Sequence, residues 1–321
     1  NYFDISVITG KKMAIWLEKE FQENPGEKII ITSVGPFGSV LPIMQLKKKF
    51  PQHLFIIDYR DPWSGNTLAF GLKHLDHKRK QQEKDKERES LQLADGVIGV
   101  EKNVFFQDSN SGSHSSPSKI IPNGFKWSDQ HTPAKDNDLI RILFAGTLYE
   151  DVEDLMRPLL KELSQLKIAE PKLFTSFDWT FCGNVPTTWK EAFSALSKDQ
   201  FHFLGRLSSD EIGELFTQSN LGLNIVHRDF CYSKNTKFFE ILGSRKKTLY
   251  IGWPGETADF IEKMNIGYVW NPEMSLQTTL DKILDEWKAT QLSWNLMDEH
   301  FEHMTISAQF DELTKFLYEL R

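Results

Sequence analysis

The sequence predicts an α/β protein built on parallel sheets that helices cover on both faces. Apolar runs and amphipathic segments alternate as strand, helix and strand over much of the chain, a pattern typical of doubly wound sheets. The clearest unit spans residues 220–256, where two nearly continuous apolar strands flank a short helix that Thr236 opens. The chain has 321 residues, about twice a typical domain, so we expect two domains.

The second half contains six predicted strands that alternate with helices. They cover residues 140–145, 177–182, 201–204, 221–226, 247–251 and 267–270. Four of these strands end in a glycine: Gly146, Gly183, Gly205 and Gly252. Because glycine lets a ligand approach the backbone, and ligands bind at the carboxyl edge of open parallel sheets, we expect a nucleotide-sized crevice at this edge.

Polar residues at that edge are candidates for binding a nucleotide. Lys237 and Glu240 stand three residues apart on one helix and therefore share a face. In one interpretation, Lys237 binds a phosphate and Glu240 accepts hydrogen bonds from ribose hydroxyls. In the alternative, the two side chains form a solvated ion pair. Thr147 offers a hydroxyl and an amide after the first of these strands. No G-x-G-x-x-G follows that strand and no G-x-x-x-x-G-K-[ST] occurs, which disfavours nicotinamide-binding and P-loop proteins.

The first half carries a second group of candidates. A buried-type strand at 28–32 runs into a glycine-containing turn at Gly35, which is either a ligand loop or a connector. The next strand, 54–57, leads directly into Asp58, Arg60 and Asp61. Three charges after a buried strand are costly unless they pair or meet a ligand. A site is therefore one interpretation, and an Arg–Asp pair that braces the loop is the other.

The charge pattern and the polar stretches predict the domain organisation. Residues 73–90 alternate blocks of like charge, which predicts a long helix with a solvated face. Residues 126–138 are polar and aperiodic, so we place the interdomain linker there. The predicted domains are therefore 1–134 and 139–300, followed by a C-terminal helix in 301–321 that packs back on the first domain.

Composition narrows the class of protein. The net charge of −7 argues against broad nucleic-acid binding. No apolar run reaches the length of a membrane span, and the first residues lack the features of a signal peptide. Cys182 and Cys231 show no metal-ligand spacing, nor do the nine histidines, so we expect no metal site and a reducing, cytoplasmic location. Since the sequence opens without methionine, we expect it to begin inside a longer protein.

Four motifs resemble those of bacterial family-4-like glycosyltransferases and occur in the same order. They are D-Y-R-D-P-W at 58–63, I-P-N-G-F at 121–125, F-A-G-T-L-Y at 144–149 and T-K-F-F-E-I-L at 236–242. The resemblance implies a GT-B fold, in which two Rossmann-like domains face each other across a cleft. The second domain would hold a nucleotide-sugar and the first the acceptor, and the first domain here looks short.

The resemblance also implies roles for residues of the second domain. Glu240 would hold the donor ribose, while Gly146 and Thr147 would lie beside the diphosphate. Lys237 and Arg206 are the candidates for its counter-charges. The sequence departs from the full E-x7-E motif of such enzymes, because Tyr232 occupies the position of the first glutamate.

In the first domain, Arg60 and Asp61 fall where related enzymes place a His-Asp pair near the reacting sugar. They are therefore the catalytic candidates. Gly35, Asp58 and Asn123 are expected on the acceptor or sugar side.

These observations favour a glycosyltransferase, of hexosyltransferase type and retaining by resemblance. It would move a sugar from a nucleotide-diphosphate donor to a saccharide or lipid-linked acceptor in cell-surface polysaccharide synthesis. We expect no cofactor or metal and no nucleic-acid partner, with peripheral contact at the inner membrane face. Two alternatives are a nucleotide-sugar epimerase of the same fold and a non-catalytic nucleotide-sugar-binding module.

Overall fold

A computed structural model describes residues 5–65, 72, 75–105, 116–128, 139–149, 152–290, 292 and 298–321. The chain forms two compact units, one made of Asn1–Pro122 with Gln309–Arg321 and the other of Asn123–Ala308. Each unit is built around one parallel sheet, as the sequence predicts. Residues 129–138 of the predicted linker lie outside the described residues.

The first unit holds a four-stranded parallel sheet. Its strands are β1 (Ile29–Val34), β2 (Leu54–Tyr59), β3 (Gly96–Gly99) and β4 (Ser118–Ile120), in the order β1-β2-β3-β4. The helices that precede or connect them are α1 (Ile5–Glu23), α2 (Val40–Met44) and α3 (His77–Leu93). Strand β2 is apolar and buried along nearly its whole length, as expected of a central parallel strand covered on both faces.

Helix α3 has a buried face that its mixed charges did not predict. Glu83 and Glu87 are both buried, and they contact the end of β2 and the segment that follows it. The Trp63 Nε1–H donates to Glu83 at 3.0 Å, and the Tyr59 hydroxyl donates to Glu87 at 2.8 Å. These bonds satisfy carboxylates that would otherwise be costly to bury. The helix therefore has the predicted solvated face, with Lys84 and Asp85 exposed, and also a buried face that anchors the loop after β2.

The second unit holds a six-stranded parallel sheet whose strands lie close to the predicted ranges. They are β5 (Ile140–Ala145), β6 (Phe177–Cys182), β7 (Phe201–Gly205), β8 (Leu221–Val226), β9 (Lys247–Gly252) and β10 (Gly267–Trp270). Their order in the sheet is β10-β9-β8-β5-β6-β7. The chain thus winds outward from β5 in one direction, returns to β8 and winds outward in the other. In such doubly wound sheets, ligands bind where the winding reverses.

Helices cover both faces of this second sheet. They are α4 (Glu153–Ala169), α5 (Pro171–Thr175), α6 (Thr187–Leu196), α7 (Ser209–Gln218), α8 (Thr236–Gly243), α9 (Glu256–Met264) and α10 (Leu276–Thr290). Four apolar side chains of α8 are buried: Phe238, Phe239, Ile241 and Leu242. This burial leaves Lys237 and Glu240 on the remaining face of α8. No helix in the described ranges is long and apolar enough to cross a membrane.

The chain enters and leaves the second unit along adjacent paths. The Phe125 amide donates to the Met304 carbonyl at 3.2 Å, and the Ile306 amide donates to the Phe125 carbonyl at 2.9 Å. The last helix, α11 (Ile306–Glu319), then continues into the first unit. There Phe316 packs with buried residues of that unit's sheet, among them Ile98.

Candidate functional site

The sheet of the second unit opens at its carboxyl edge between β5 and β8. Their pairing ends with Leu143 opposite Gly222. Strand β5 nevertheless continues to Ala145 beside β6, and β8 continues to Val226 beside β9. Beyond the last shared pair, each strand keeps only its outer neighbour. The opening therefore coincides with the reversal of winding, which is the expected position of a ligand site.

The first turn of α8 contacts both of the separated strands. Asn235 caps the helix, because its Oδ1 accepts from the Phe238 amide at 2.9 Å. The Asn235 Nδ2 donates to Oδ1 of Asn224 in β8 at 3.1 Å. On the other side, the Lys237 side chain lies so close to Gly146 that a Cβ there would overlap Lys237 Cε. The amino end of α8 thus lies at the opening.

The glycines that end β5, β6 and β7 are required by the backbone. Gly146, Gly183 and Gly205 have φ angles of +138°, +107° and +72°, which side-chain-bearing residues rarely adopt. The Gly146 amide donates to the Cys182 carbonyl at 2.9 Å, so it is engaged within the sheet. Thr147 forms no hydrogen bond with any described residue. Its amide and hydroxyl are the groups that this turn can offer to a ligand.

Lys237 carries a charge that no carboxylate in the described part of the chain neutralises by direct contact. Its Nζ lies 5.7 Å from the centroid of the Phe144 ring. Among the described residues it has no ion-pair partner, so the predicted alternative of a Lys237–Glu240 surface pair is not formed. Burial lowers the pKa of Lys237, and the negative charge of Glu240 offsets part of that effect. A desolvated, unpaired cation at a sheet edge is typical of functional sites.

The groups next to Lys237 can bind an anion and, beside it, a group that carries several hydroxyls. Thr236 and Lys237 occupy the first two positions of α8, whose amides have no partner within a helix. Together with the Lys237 ammonium they can receive a phosphate. Partial desolvation raises the pKa of the Glu240 carboxyl, and the positive charge of Lys237 offsets part of that effect. Glu240 forms no ion pair in the described part of the chain, so it can accept hydroxyl hydrogens.

Arg206 stands apart from this group. It follows β7, the edge strand, and is exposed. Two strand spacings separate β7 from β5, which places their ends about 10 Å apart. Arg206 therefore lies on the same edge of the sheet without being part of the Lys237 cluster.

Asp58 and Arg60 form an ion pair in the first unit. Asp58, the penultimate residue of β2, is almost completely buried, and its Oδ2 accepts from the Ser33 hydroxyl at 3.0 Å. The Arg60 Nε–H donates to the same oxygen at 2.9 Å. The bracing pair considered from the sequence is thus present. About 42% of the Arg60 side chain remains exposed.

The other first-unit candidates lie beside this pair. Gly35, with φ of +92°, directly follows β1 and begins the turn there. A Cβ at Gly35 would lie 3.8 Å from Oδ2 of Asp61. The loops after β1 and β2 therefore adjoin and bring Gly35, Asp58, Arg60 and Asp61 together. Asn123, which was predicted with these residues in the first domain, is instead the first residue of the second unit.

The sequence interpretation overlooked several residues that shape these two groups. Asn224 and Asn235 position α8, and Glu83 and Glu87 anchor the loop after β2. Asn224 carried a signal, because it interrupts the apolar run Leu221–Val226 and a buried polar side chain needs a partner. The two glutamates carried none, since they resemble their exposed neighbours on a charged helix.

No family model matches the chain, and none of the curated proteins matches it. Solved structures do. Sucrose-phosphate synthase from Thermosynechococcus elongatus superposes with a TM-score of 0.67 at 13% identity, over 100% of this chain and 80% of that one. The pneumococcal O-GlcNAc transferase GtfA, solved with UDP and GlcNAc, gives 0.62 at 13% identity, over 91% of this chain and 56% of that one. The lipopolysaccharide outer core galactosyltransferase WaaB gives 0.61 at 12% identity, over 99% and 82%.

These similar structures are glycosyltransferases of the GT-B fold. At this level of identity the likeness shows the fold, two parallel-sheet Rossmann-like domains, and the predicted fold class is confirmed. Membership of family 4 and the functional roles of the motifs stay predictions.

Proposed function

We propose that this protein is a glycosyltransferase that takes its sugar from a nucleoside-diphosphate donor. The observation that carries the proposal is the position of Lys237. Its side chain contacts Gly146 where β5 and β8 separate. It is a desolvated cation, and it has no ion-pair partner among the described residues. The GT-B fold supports it, since the similar structures are glycosyltransferases. The acceptor we propose is a saccharide or a lipid-linked saccharide.

The chemistry follows from the charge that develops as the sugar leaves. Breaking the bond between sugar and diphosphate places negative charge on the leaving diphosphate, and fixed donors aimed at that charge lower the barrier. The Lys237 ammonium, the first amides of α8 and the Thr147 amide and hydroxyl would supply these donors. Glu240 would hold the ribose hydroxyls. Arg206, which is exposed at the same edge, would need to reach inward to contribute.

In the first unit, Arg60 and Asp61 would orient the acceptor or the reacting sugar. Asp58 accepts a hydrogen bond from the Arg60 Nε–H, which fixes the position of the Arg60 side chain in this loop. We assign no general base. Retention at the anomeric carbon, a hexosyl donor and a role in cell-surface polysaccharide synthesis are further parts of the proposal. We also propose that the protein acts in the cytoplasm, in peripheral contact with the inner membrane.

Donor binding can be tested by thermal-shift assays with UDP-, GDP-, ADP- and dTDP-sugars. We expect one nucleotide class to raise the melting temperature. Glu240→Ala should abolish that shift, because the ribose hydroxyls lose their acceptor. Glu262→Ala, an exposed glutamate on α9, is the control and should retain it. An unchanged shift in Glu240→Ala would remove Glu240 from the site.

Transfer can be tested separately with Arg60→Ala. We expect this variant to bind the best donor normally but to lose sugar transfer when an acceptor panel is supplied. Arg157→Ala, which removes an exposed arginine of α4, is the control. Intact sugar transfer by Arg60→Ala would show that Arg60 and the loop after β2 have only a structural role. Epimerised donor formed without acceptor would indicate an epimerase instead, and binding without turnover on any acceptor would indicate a non-catalytic module.

A further inference from the structure

Asn224 is a buried polar residue in the middle of an apolar strand. It is 0% exposed, and it projects on the same side of β8 as Gly222, where a Cβ would overlap Ile241 of α8. Asn224 therefore faces α8. Its Oδ1 accepts from Asn235 at 3.1 Å, whereas its Nδ2 has no hydrogen-bond partner within the described ranges.

The cap of α8 determines which atom of Asn224 lacks a partner. Asn235 must present its Oδ1 to the Phe238 amide, so its Nδ2 is the group that faces Asn224. Only the carbonyl oxygen of Asn224 can accept from that group, since two NH₂ groups cannot bond to each other. The unsatisfied group is therefore a donor. Buried donors without a partner are rare in folded proteins, because leaving one unpaired costs free energy.

The unpaired donor lies at the opening of the sheet. Pairing between β5 and β8 stops at Gly222, two residues before Asn224. Because Nδ2 and Oδ1 share one planar amide, Nδ2 also lies next to the first turn of α8. The other groups at this end of α8 are the backbone amides of its first turn and, towards Gly146, the Lys237 side chain, and all of them donate. A partner that suits such a set has several acceptor oxygens and negative charge, which describes a phosphate better than a sugar hydroxyl.

We propose that the Asn224 side-chain amide donates a hydrogen bond to a diphosphate oxygen of the nucleotide, with Asn235 holding it in place. The inference rests on the proposed function, since it assigns a further binding residue to the same site. Asn224 would thus bind the diphosphate from β8 while its Oδ1 accepts from Asn235, the residue that caps α8. It would also give this chain a phosphate donor that remains neutral at every pH.

The test is the substitution Asn224→Asp. The carboxylate introduced there would still accept from Asn235, but it would present a negative oxygen in place of the donor. Asn220→Asp is the matched control, because Asn220 is also buried and lies just before the start of β8, where its Oδ1 accepts from the Arg141 amide at 2.8 Å. The affinities of both variants and of the unaltered full chain for UDP, GDP, ADP and dTDP would be measured by calorimetry.

We expect Asn224→Asp to weaken binding of the best nucleoside diphosphate by about tenfold or more, the range for loss of a hydrogen bond to a charged group. Asn220→Asp should stay within about twofold of the unaltered chain. Equal affinity of Asn224→Asp and the unaltered chain would overturn this inference and leave the proposed function intact. If the unaltered chain binds none of the four nucleotides, the proposed function fails and this inference fails with it.

A second measurement covers the case in which Asn224→Asp does not fold. A crystal structure of the unaltered chain with the best nucleoside diphosphate should place a phosphate oxygen about 2.7–3.2 Å from Asn224 Nδ2. A water molecule on Nδ2, with the phosphates held elsewhere, would overturn the inference.

Discussion

Replacing Lys237 with methionine should stabilise the protein while abolishing nucleotide binding. Methionine keeps the length of the side chain that packs against Gly146 and Phe144, but it removes the charge. In the unliganded protein that charge is desolvated and has no ion-pair partner among the described residues. Its removal should therefore favour the folded state, as is common where a binding site is built at the expense of stability.

The expected gain is modest because the ammonium is only partly desolvated. Burying an unsatisfied polar group costs about 1–3 kcal/mol, and more when the group is charged. Residual hydration and the attraction of Glu240 offset part of this cost, so we expect a gain of about 1 kcal/mol. For a domain of the size of the second unit, that corresponds to a rise of about 2–4 °C in melting temperature.

The pH dependence gives the prediction a second test. Burial lowers the pKa of Lys237 below its usual 10.5, so the folded state holds that proton less tightly than the unfolded state does. The stability advantage of Lys237→Met should therefore be complete at neutral pH. It should shrink as the pH rises through the lowered pKa and disappear above the usual value.

The assay is thermal and urea unfolding of the unliganded protein, followed by calorimetry with the best nucleoside diphosphate. Lys161→Met is the control, because Lys161 is an exposed lysine of α4. It should leave both stability and binding nearly unchanged. A Lys237→Met protein that is no more stable than the unaltered chain, or that binds nucleotide equally well, would refute the reasoning.

Three further variants probe the backbone and a buried carboxylate. Gly146→Ala and Gly205→Ala should each lower the free energy of unfolding by about 1–3 kcal/mol, because both glycines have positive φ. Only Gly146→Ala displaces the Lys237 side chain, so it should also weaken nucleotide binding about tenfold. Melting curves and calorimetry on the pair would separate these effects, and equal affinities would contradict the assignment. Burial raises the pKa of the Glu87 carboxyl. The stability of the unaltered chain relative to Glu87→Gln should therefore be greatest below the usual pKa of a glutamate, and it should fall as the pH rises through the raised pKa of Glu87. Urea unfolding from about pH 4 to 8 checks this, and a difference independent of pH would contradict it.

The sequence by itself determined the strands of the second unit and the glycines at their ends. The reason is local: a strand buried on both faces must be apolar at successive positions, and a turn with positive φ favours glycine. The same reasoning identified Lys237 and Glu240, because spacing along a helix determines which side chains share a face. It also predicted that Asp58 would need a partner after the buried strand.

Only the tertiary structure decided how these parts meet. The separation of β5 from β8 depends on the order of strands in the sheet, which no single segment encodes. The contact of Lys237 with Gly146 joins residues far apart in the chain, as do the bonds that Glu87 makes with Tyr59 and Ser64. Whether a charged or polar side chain is paired, hydrated or left as an unpaired donor depends on neighbours of this kind, since burial and partners, rather than residue type, set its free energy.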